Sequence, residues 1–180
     1  MKTRRLVMDA LCAALYVVLS SYVSLNLGPM KLSLDGLPIL IGALMFGPMD
    51  GLIIGLLGNF LSQLLGSYGL SATTVLWMLP DGLRGLSVGW YAKKHGFVLK
   101  QAALGILILI SSLLVTTVTT GVMWVDCQVY RYAFVTYAPY ILWRYGAGFV
   151  MSAVFALVLP LLLRPLRKSL DLRSGAGNEE

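Results

Sequence analysis

The chain has few charged residues and few of the side chains that most enzymes use. Asp, Glu, Lys and Arg make up 12% of its 180 residues, and His95 is the one histidine. An average soluble domain carries about 25% charged residues. No GxxxxGK(S/T) phosphate loop, HExxH, CxxC or GxSxG pattern is present. We therefore expect a protein that is not an enzyme, hydrolyses no ATP itself and holds no cofactor or metal.

Cysteines and carboxylates are too sparse to build a framework or a catalytic pair. Cys12 and Cys127 fall in distant parts of the chain, one within an apolar run and the other beyond one, so we expect no disulfide. Asp50 and Asp81 are isolated carboxylates in the apolar part of the sequence. Acid–base chemistry that needs two neighbouring carboxylates is therefore poorly supported.

Long apolar runs are abundant instead. The 25 residues between Lys100 and Asp126 carry no charge, and neither do residues 51–80 or 145–163. A helix that crosses the hydrocarbon core of a bilayer needs about 20 apolar residues. With 58% apolar residues and a mean hydropathy of +0.80, the chain is predicted to be an integral, multi-pass protein of the bacterial plasma membrane.

The pattern predicts an all-α membrane protein, a bundle of six transmembrane helices. A polar connection at 26–35 separates the first two helices, and proline or glycine marks several of the other breaks. We expect one membrane domain over 1–168 and a disordered cytosolic tail over 169–180. The predicted helices cover residues 6–25, 36–47, 50–66, 72–92, 101–124 and 140–163.

The positive charges predict the orientation of this bundle. Cytosolic loops of membrane proteins carry an excess of Lys and Arg. One side of the predicted bundle would hold Lys2, Arg4, Arg5, Lys93, Lys94, Lys100, Arg164, Arg167, Lys168 and Arg173, and the other only Lys31, Arg131 and Arg144. Both termini should therefore be cytosolic. Because the charges sit at helix ends, the basic pI of about 9.5 indicates no nucleic-acid partner.

Small residues spaced four apart predict where helices approach closely. Gly51 and Gly55 form such a pair on the third helix, and Gly85 and Gly89 form another on the fourth. Packing inside the bundle is the simpler interpretation of these glycines. Docking of a partner helix is the alternative.

Polar side chains inside the predicted spans suggest a binding site. Polar groups are costly in lipid and usually face a cavity or a partner. Asn59 and Gln63 share one face of the third helix. Asp81 and Arg84 on the fourth helix could pair with each other, or Arg84 could present its planar fork to a ligand carboxylate. Polar and aromatic residues repeat at helical spacing along that fourth helix: Thr73, Thr74, Trp77, Asp81 and Arg84.

Aromatic and polar residues also gather at the predicted outer end. An interfacial aromatic belt is one interpretation, and a pocket for a flat heterocycle is the other. The group comprises Trp124, Asp126, Gln128, Tyr130, Arg131, Tyr132, Tyr137, Tyr140, Trp143 and Arg144. The predicted substrate-binding residues are Asn59, Gln63, Thr74, Trp77, Arg84, Trp124, Arg131, Tyr140, Trp143 and Arg144. Three arginines among them favour an anionic ligand.

Two segments resemble a known family. Ala10 and Ala14 form a small-residue pair in the first helix, and residues 37–65 read LPILIGALMFGPMDGLIIGLLGNFLSQLL. Together with six predicted helices, they resemble the substrate-binding S components of energy-coupling factor (ECF) vitamin transporters, and the folate-type group most. The resemblance extends from about residue 5 to residue 168. Asn59 stands where folate-type members commonly carry an acidic residue, and residues 73–85 do not match that group.

The resemblance implies a function and its partners. It implies high-affinity capture of a water-soluble vitamin, folate-like and anionic, from outside the cell. It also implies a transmembrane coupling subunit, which Ala10 and Ala14 would contact, and two ATPase subunits. Pantothenate, cobalamin and other water-soluble vitamins remain open as ligands. A free-standing secondary transporter is the other alternative, although no internal repeat of the kind typical of that class is evident.

Overall fold

A computed structural model describes residues 2–27, 30–66, 69–97, 101–131, 133–134 and 138–175 of the chain. Six helices in this part of the chain fall where the apolar pattern predicts them, so the helical bundle is confirmed. A two-stranded hairpin follows the first helix. The elements are α1 Lys2–Tyr22, β1 Ser24–Leu27, β2 Met30–Ser33, α2 Gly36–Met45, α3 Pro48–Leu65, α4 Thr74–Lys94, α5 Gln101–Tyr130 and α6 Ala138–Gly175.

Four of these helices contain stretches long and apolar enough to cross a membrane: Arg5–Tyr22, Pro48–Leu65, Gln101–Tyr130 and Pro139–Leu163. The other two helices differ from them for separate reasons. α4 is long enough, but Asp81 and Arg84 lie near its middle. α2 has ten residues, which span only about 15 Å at 1.5 Å per residue.

The connection predicted at 26–35 is more ordered than a polar loop. β1 and β2 form an antiparallel pair in which Ser24 lies opposite Ser33 and Leu27 lies opposite Met30. Within the hairpin, the backbone groups along one edge of each strand are paired with those of the other strand. The all-α prediction is therefore correct for the bundle and incomplete for this segment.

Two helices extend beyond their predicted ends. α5 continues to Tyr130 and not to residue 124, so Asp126 and Gln128 lie on a helix and not in a loop. The residue after α5, Arg131, has a φ of 55°, in the left-handed region. α6 runs to Gly175 and so covers residues 169–175, which the sequence assigns to the tail. Residues 176–180 lie outside the described residues.

α2 packs at the centre of the molecule. Ile39, Leu40 and Leu44 are almost completely buried, and the core around them includes Val88 of α4 and Leu159 of α6. A sharp turn joins α2 to α3, since Gly47 adopts a φ of 119° and Pro48 starts the next helix. That backbone conformation favours glycine, and proline suits the first turn of a helix.

The glycines of α3 and α4 allow their backbones to touch. A Cβ at Gly51 would lie 2.8 Å from the carbonyl oxygen of Gly85, and one at Gly55 would lie 2.5 Å from that of Asp81. A Cβ at Gly89 would lie 2.5 Å from Cα of Pro48. Packing inside the bundle is therefore confirmed as the role of these glycines. The contact fixes the register between the polar residues of the two helices.

Candidate functional site

A partly buried polar cluster joins α1, α3 and α4. Asp81 is its centre: Oδ2 of its carboxylate accepts a hydrogen bond from the Tyr16 hydroxyl at 2.6 Å and another from Asn59 Nδ2 at 2.8 Å. Gln63 Nε2 in turn donates to Asn59 Oδ1 at 2.5 Å. We call Tyr16, Asn59, Gln63, Asp81 and Arg84 the central cluster. Its hydrogen bonds offset much of the cost of placing polar groups among apolar helices.

Arg84 lies close to the carboxylate of Asp81 but is not closely paired with it. Its Nη1 is 4.0 Å from Asp81 Oδ1, while its side chain is only 13% exposed. Charge-assisted hydrogen bonds of this kind normally measure about 2.7–2.9 Å. The guanidinium occupies space above Gly36, the first residue of α2, where any side chain would overlap Nη1. The predicted approach of Arg84 to Asp81 is thus present as a loose ion pair, and a role for Arg84 in ligand binding stays a prediction.

A second polar group joins the start of α4 to the end of α5. Asp126 Oδ1 accepts a short hydrogen bond from the Thr73 hydroxyl, and the indole N–H of Trp77 points to the same oxygen at 3.5 Å. The hydroxyl of Tyr130 accepts a bond from the backbone N–H of Ala72 at 3.2 Å. Trp77 is half-buried here. Its ring is therefore held in place by a polar contact at one edge.

The Thr74 side chain makes a hydrogen bond at the start of its own helix, α4. It is buried, and its hydroxyl oxygen accepts the backbone N–H of Ser71 at 2.8 Å. This contact satisfies a donor at the start of α4. A role for Thr74 in ligand binding stays a prediction.

The aromatic residues predicted near the ends of α5 and α6 are mostly exposed. Trp143 is 62% exposed, Trp124 and Tyr140 are also exposed, and so is Arg131. Their exposure suits the interfacial belt that the sequence left open, and their binding role stays a prediction. Tyr132 and Tyr137 lie outside the described residues.

Arg144 differs from its exposed neighbours on α6. Its guanidinium is half-buried, and Nη1 lies 3.2 Å from the thioether sulfur of Met123 on α5. A thioether is a weak acceptor. Within the described part of the chain, this cation is therefore directed between α5 and α6 without a carboxylate in its ion-pair range.

Ala10 and Ala14 are exposed on the surface of α1. Tyr16 projects from the opposite side of this helix into the bundle, where it is 3% exposed. Exposed apolar residues, including Leu11 and Val18, surround the alanine pair. α1 thus has one face toward the central cluster and one face open to a partner.

The N-terminal end of α1 carries a separate group of charges. Arg5 donates to the carbonyl oxygen of Phe46 and to Asp50 Oδ2, the second bond at 2.8 Å. Asp9 is 6% exposed, and its Oδ1 has no hydrogen-bond partner among the described residues. This group holds the start of α1 against the turn between α2 and α3.

The sequence brought out most of the central cluster but missed Tyr16. A tyrosine in an apolar helix is indistinguishable from a core residue until its hydroxyl partner is known. The glycine at position 58 is the matching feature on α3. A Cβ there would lie 2.7 Å from Cγ of Tyr16, so the tyrosine ring lies directly against the backbone. In the sequence, Thr73 stands out only by its helical spacing from the other polar residues of the fourth helix.

Two solved structures share this fold. One, described as the S component of a bacterial ECF transporter in a study of its structure and mechanism, superposes with a TM-score of 0.67 at 20% identity, over 94% of this chain and 99% of that one. The other is FolT bound with folic acid, with a TM-score of 0.60 at 18% identity over 90% of each chain. At these identities the likeness shows the fold alone.

Sequence comparisons add a local and a global match. UPF0397 proteins of Streptococcus pneumoniae strains CGSP14 and P1031 are 41% identical over 51 residues. That stretch is 28% of this chain, and it spans about a quarter (26%) of the length of those curated relatives. The model of the family described as "ECF-type riboflavin transporter, S component" matches residues 1–168. S components are the substrate-binding subunits of transporters and not enzymes, and this chain belongs to the family of ECF-type riboflavin transporter S components.

Proposed function

We propose that the protein captures a water-soluble vitamin with a flat heterocyclic ring from outside the cell and delivers it to an ATP-driven ECF importer. The observation that carries this proposal is the central cluster, in which Asn59, Gln63, Asp81 and Arg84 meet inside an apolar bundle. Such groups near the middle of a membrane protein mark substrate sites by default. Membership of the S-component family supports the same function.

The charge of the central cluster favours riboflavin as the ligand over folate. Asp81 and Arg84 carry opposite charges 4.0 Å apart, so the cluster has no surplus of positive charge. A neutral ring system rich in hydrogen-bonding groups suits it better than an anion. This departs from the anionic ligand expected from three arginines and from the folate-like ligand implied by the resemblance, since Arg131 is exposed and Arg84 shares its charge with Asp81.

Folate is the second candidate because of Arg144. This half-buried guanidinium contacts a neutral thioether, so a ligand carboxylate would be a better partner than the one it has. The fold shared with FolT bound with folic acid is compatible with this alternative.

The proposed topology has six crossings with both termini in the cytosol. Arg5 at the start of α1 meets Phe46 and Asp50 at the junction of α2 and α3, so these helix ends lie on one side. Thr73 at the start of α4 meets Asp126 near the end of α5, on the other side. The alternation supports an even number of crossings, and the excess of Lys and Arg near the termini supports a cytosolic location.

We further propose that α1 docks on a transmembrane coupling subunit, which works with two ATPase subunits. The exposed Ala10 and Ala14 allow a partner helix to approach closely. The absence of a phosphate loop from the sequence agrees with ATP hydrolysis elsewhere in the complex.

Ligand identification tests the proposal directly. The protein would be purified in detergent, any co-purified small molecule identified by mass spectrometry, and tryptophan fluorescence titrated with riboflavin, folate, pantothenate and cobalamin. We expect riboflavin to bind and to quench fluorescence. Trp77→Phe should weaken both effects, whereas Trp90→Phe should not, because Trp90 is 64% exposed near the other end of α4. Binding of none of the four vitamins would refute the proposed ligand class.

A further inference from the structure

The two oxygens of the Asp81 carboxylate face different partners. Oδ2 accepts the Tyr16 hydroxyl at 2.6 Å and Asn59 Nδ2 at 2.8 Å, whereas Oδ1 lies 4.0 Å from Arg84 Nη1. A carboxylate beside a guanidinium in an apolar interior normally closes to a direct hydrogen bond, because the attraction is strong at low dielectric. Something therefore holds these two side chains apart.

We propose that Tyr16 is a positioning residue for the ligand site: by binding Asp81, it keeps this carboxylate from capturing Arg84, so that the guanidinium stays available to the ligand. The inference rests on the proposed function, since it assigns Arg84 to the ligand. Tyr16 itself touches neither the ligand nor the coupling subunit in this scheme. It acts through Asp81.

The position of Tyr16 is fixed well enough for this role. Its ring lies against Gly58, where a Cβ would come within 2.7 Å of Cγ, and the residue is 3% exposed. Asn59, the next residue on α3, is within 3.2 Å of the same hydroxyl through Nδ2. The hydroxyl thus has little freedom, and its hydrogen bond to Asp81 is made by a ring that cannot move away.

Arg84 is held from the other side. Its guanidinium lies over Gly36 and next to the ring of Phe155, and its side chain is only 13% exposed. A guanidinium offers five donors. Within the described residues its contact is the loose pair with Asp81, so a buried cation keeps donors that a ligand carbonyl, ring nitrogen or carboxylate would satisfy.

If Tyr16 acts through Asp81, a second substitution at Asp81 should restore the ligand affinity that Tyr16→Phe lowers. A purely structural role of Tyr16 would not predict this recovery. In Tyr16→Phe the carboxylate loses one donor and should turn toward Arg84, so affinity for riboflavin should fall at least about tenfold. Asp81→Asn, added to Tyr16→Phe, removes the competing charge and should restore affinity to within about threefold of Asp81→Asn alone. The matched control is Tyr145→Phe, which loses a hydroxyl contact between α6 and Thr117 of α5, outside the central cluster, and should bind normally.

A measurement without ligand separates this inference from the proposed function. If Tyr16→Phe lets Asp81 and Arg84 pair closely, Arg84→Gln should lower the melting temperature more in the Tyr16→Phe background than in the wild type. Additive effects on melting temperature would overturn the inference, and so would a double variant that binds riboflavin more than about threefold more weakly than Asp81→Asn alone. If the wild type binds no vitamin, the proposed function fails, and the melting temperatures still decide the role of Tyr16.

Discussion

Replacing Gly55 with alanine tests whether the backbone contact between α3 and α4 organises the ligand site. A Cβ at Gly55 would lie 2.5 Å from the carbonyl oxygen and 2.7 Å from the carbonyl carbon of Asp81. Both atoms belong to the backbone, so no rotamer change can relieve the overlap. The helices must move apart by about 0.9 Å before that oxygen reaches 3.4 Å, where ordinary contacts begin.

The displacement reaches the central cluster. Asn59 lies one turn beyond Gly55, and its 2.8 Å hydrogen bond to Asp81 would lengthen to about 3.7 Å, which is no longer a hydrogen bond. Overpacking costs about 1–3 kcal/mol, and a hydrogen bond between membrane helices contributes about 0.6–1.7 kcal/mol. We expect Gly55→Ala to destabilise the protein by about 2–4 kcal/mol, which lowers the melting temperature by roughly 4–16 °C for a chain of this size.

The assay combines thermal unfolding in detergent with a riboflavin titration of the same sample. Gly121→Ala is the matched control, because Gly121 lies within α5 and a Cβ there would meet nothing within 4 Å. It should keep or slightly raise the melting temperature. A Gly55→Ala variant that melts and binds like the wild type would refute the close contact and its role in holding the register.

Three further predictions concern stability, coupling and topology. Asp9→Asn should raise the melting temperature, since it removes a buried carboxylate whose Oδ1 has no described partner. Asp50→Asn should not, because it removes the negative charge that pairs with Arg5. A lower melting temperature for Asp9→Asn would show that the charge is compensated. Ala14→Trp should leave vitamin binding by the isolated protein intact and reduce uptake by the assembled transporter, whereas a loss of binding would mean that the alanine face packs internally. In a cysteine-free background, Lys94→Cys should react with an impermeant thiol reagent only from the cytosolic side and Arg131→Cys only from outside, and the reverse pattern would invert the proposed topology.

Helix positions were predictable because hydrophobic length and charge act locally. α2 and α3 lie within a few residues of their predicted positions, since Gly47 and Pro48 mark the turn between them in the sequence. The hairpin was missed because its two short strands resemble any polar connection in the sequence. The extension of α5 was missed because Asp126 and Gln128 look like loop residues. Asp126 in fact accepts hydrogen bonds from Thr73 and Trp77 at the start of α4.

The candidate site was only partly predictable for a different reason. Asn59, Gln63 and Arg84 stand out because polar residues are rare in apolar runs, and helical spacing places the first two on one face. Which groups pair is decided by contacts between helices distant in the sequence, such as the bond between Tyr16 and Asp81. Composition alone also cannot separate a pocket from an interfacial belt. Trp143 is exposed, and its predicted role in ligand binding stays a prediction.

The shortness of α2 has a consequence for water. Its ten residues cover about 15 Å, roughly half of the hydrocarbon core of about 30 Å. The described residues just before Gly36 form β2 and a turn, so they do not continue α2 as a helix. Irregular backbone is tolerated at membrane depth only where protein covers it or water reaches it. In the proposed topology, Gly36 and the Arg84 guanidinium above it lie at about mid-membrane depth, so water and a polar solute would have to pass only the outer half of the bundle to reach them.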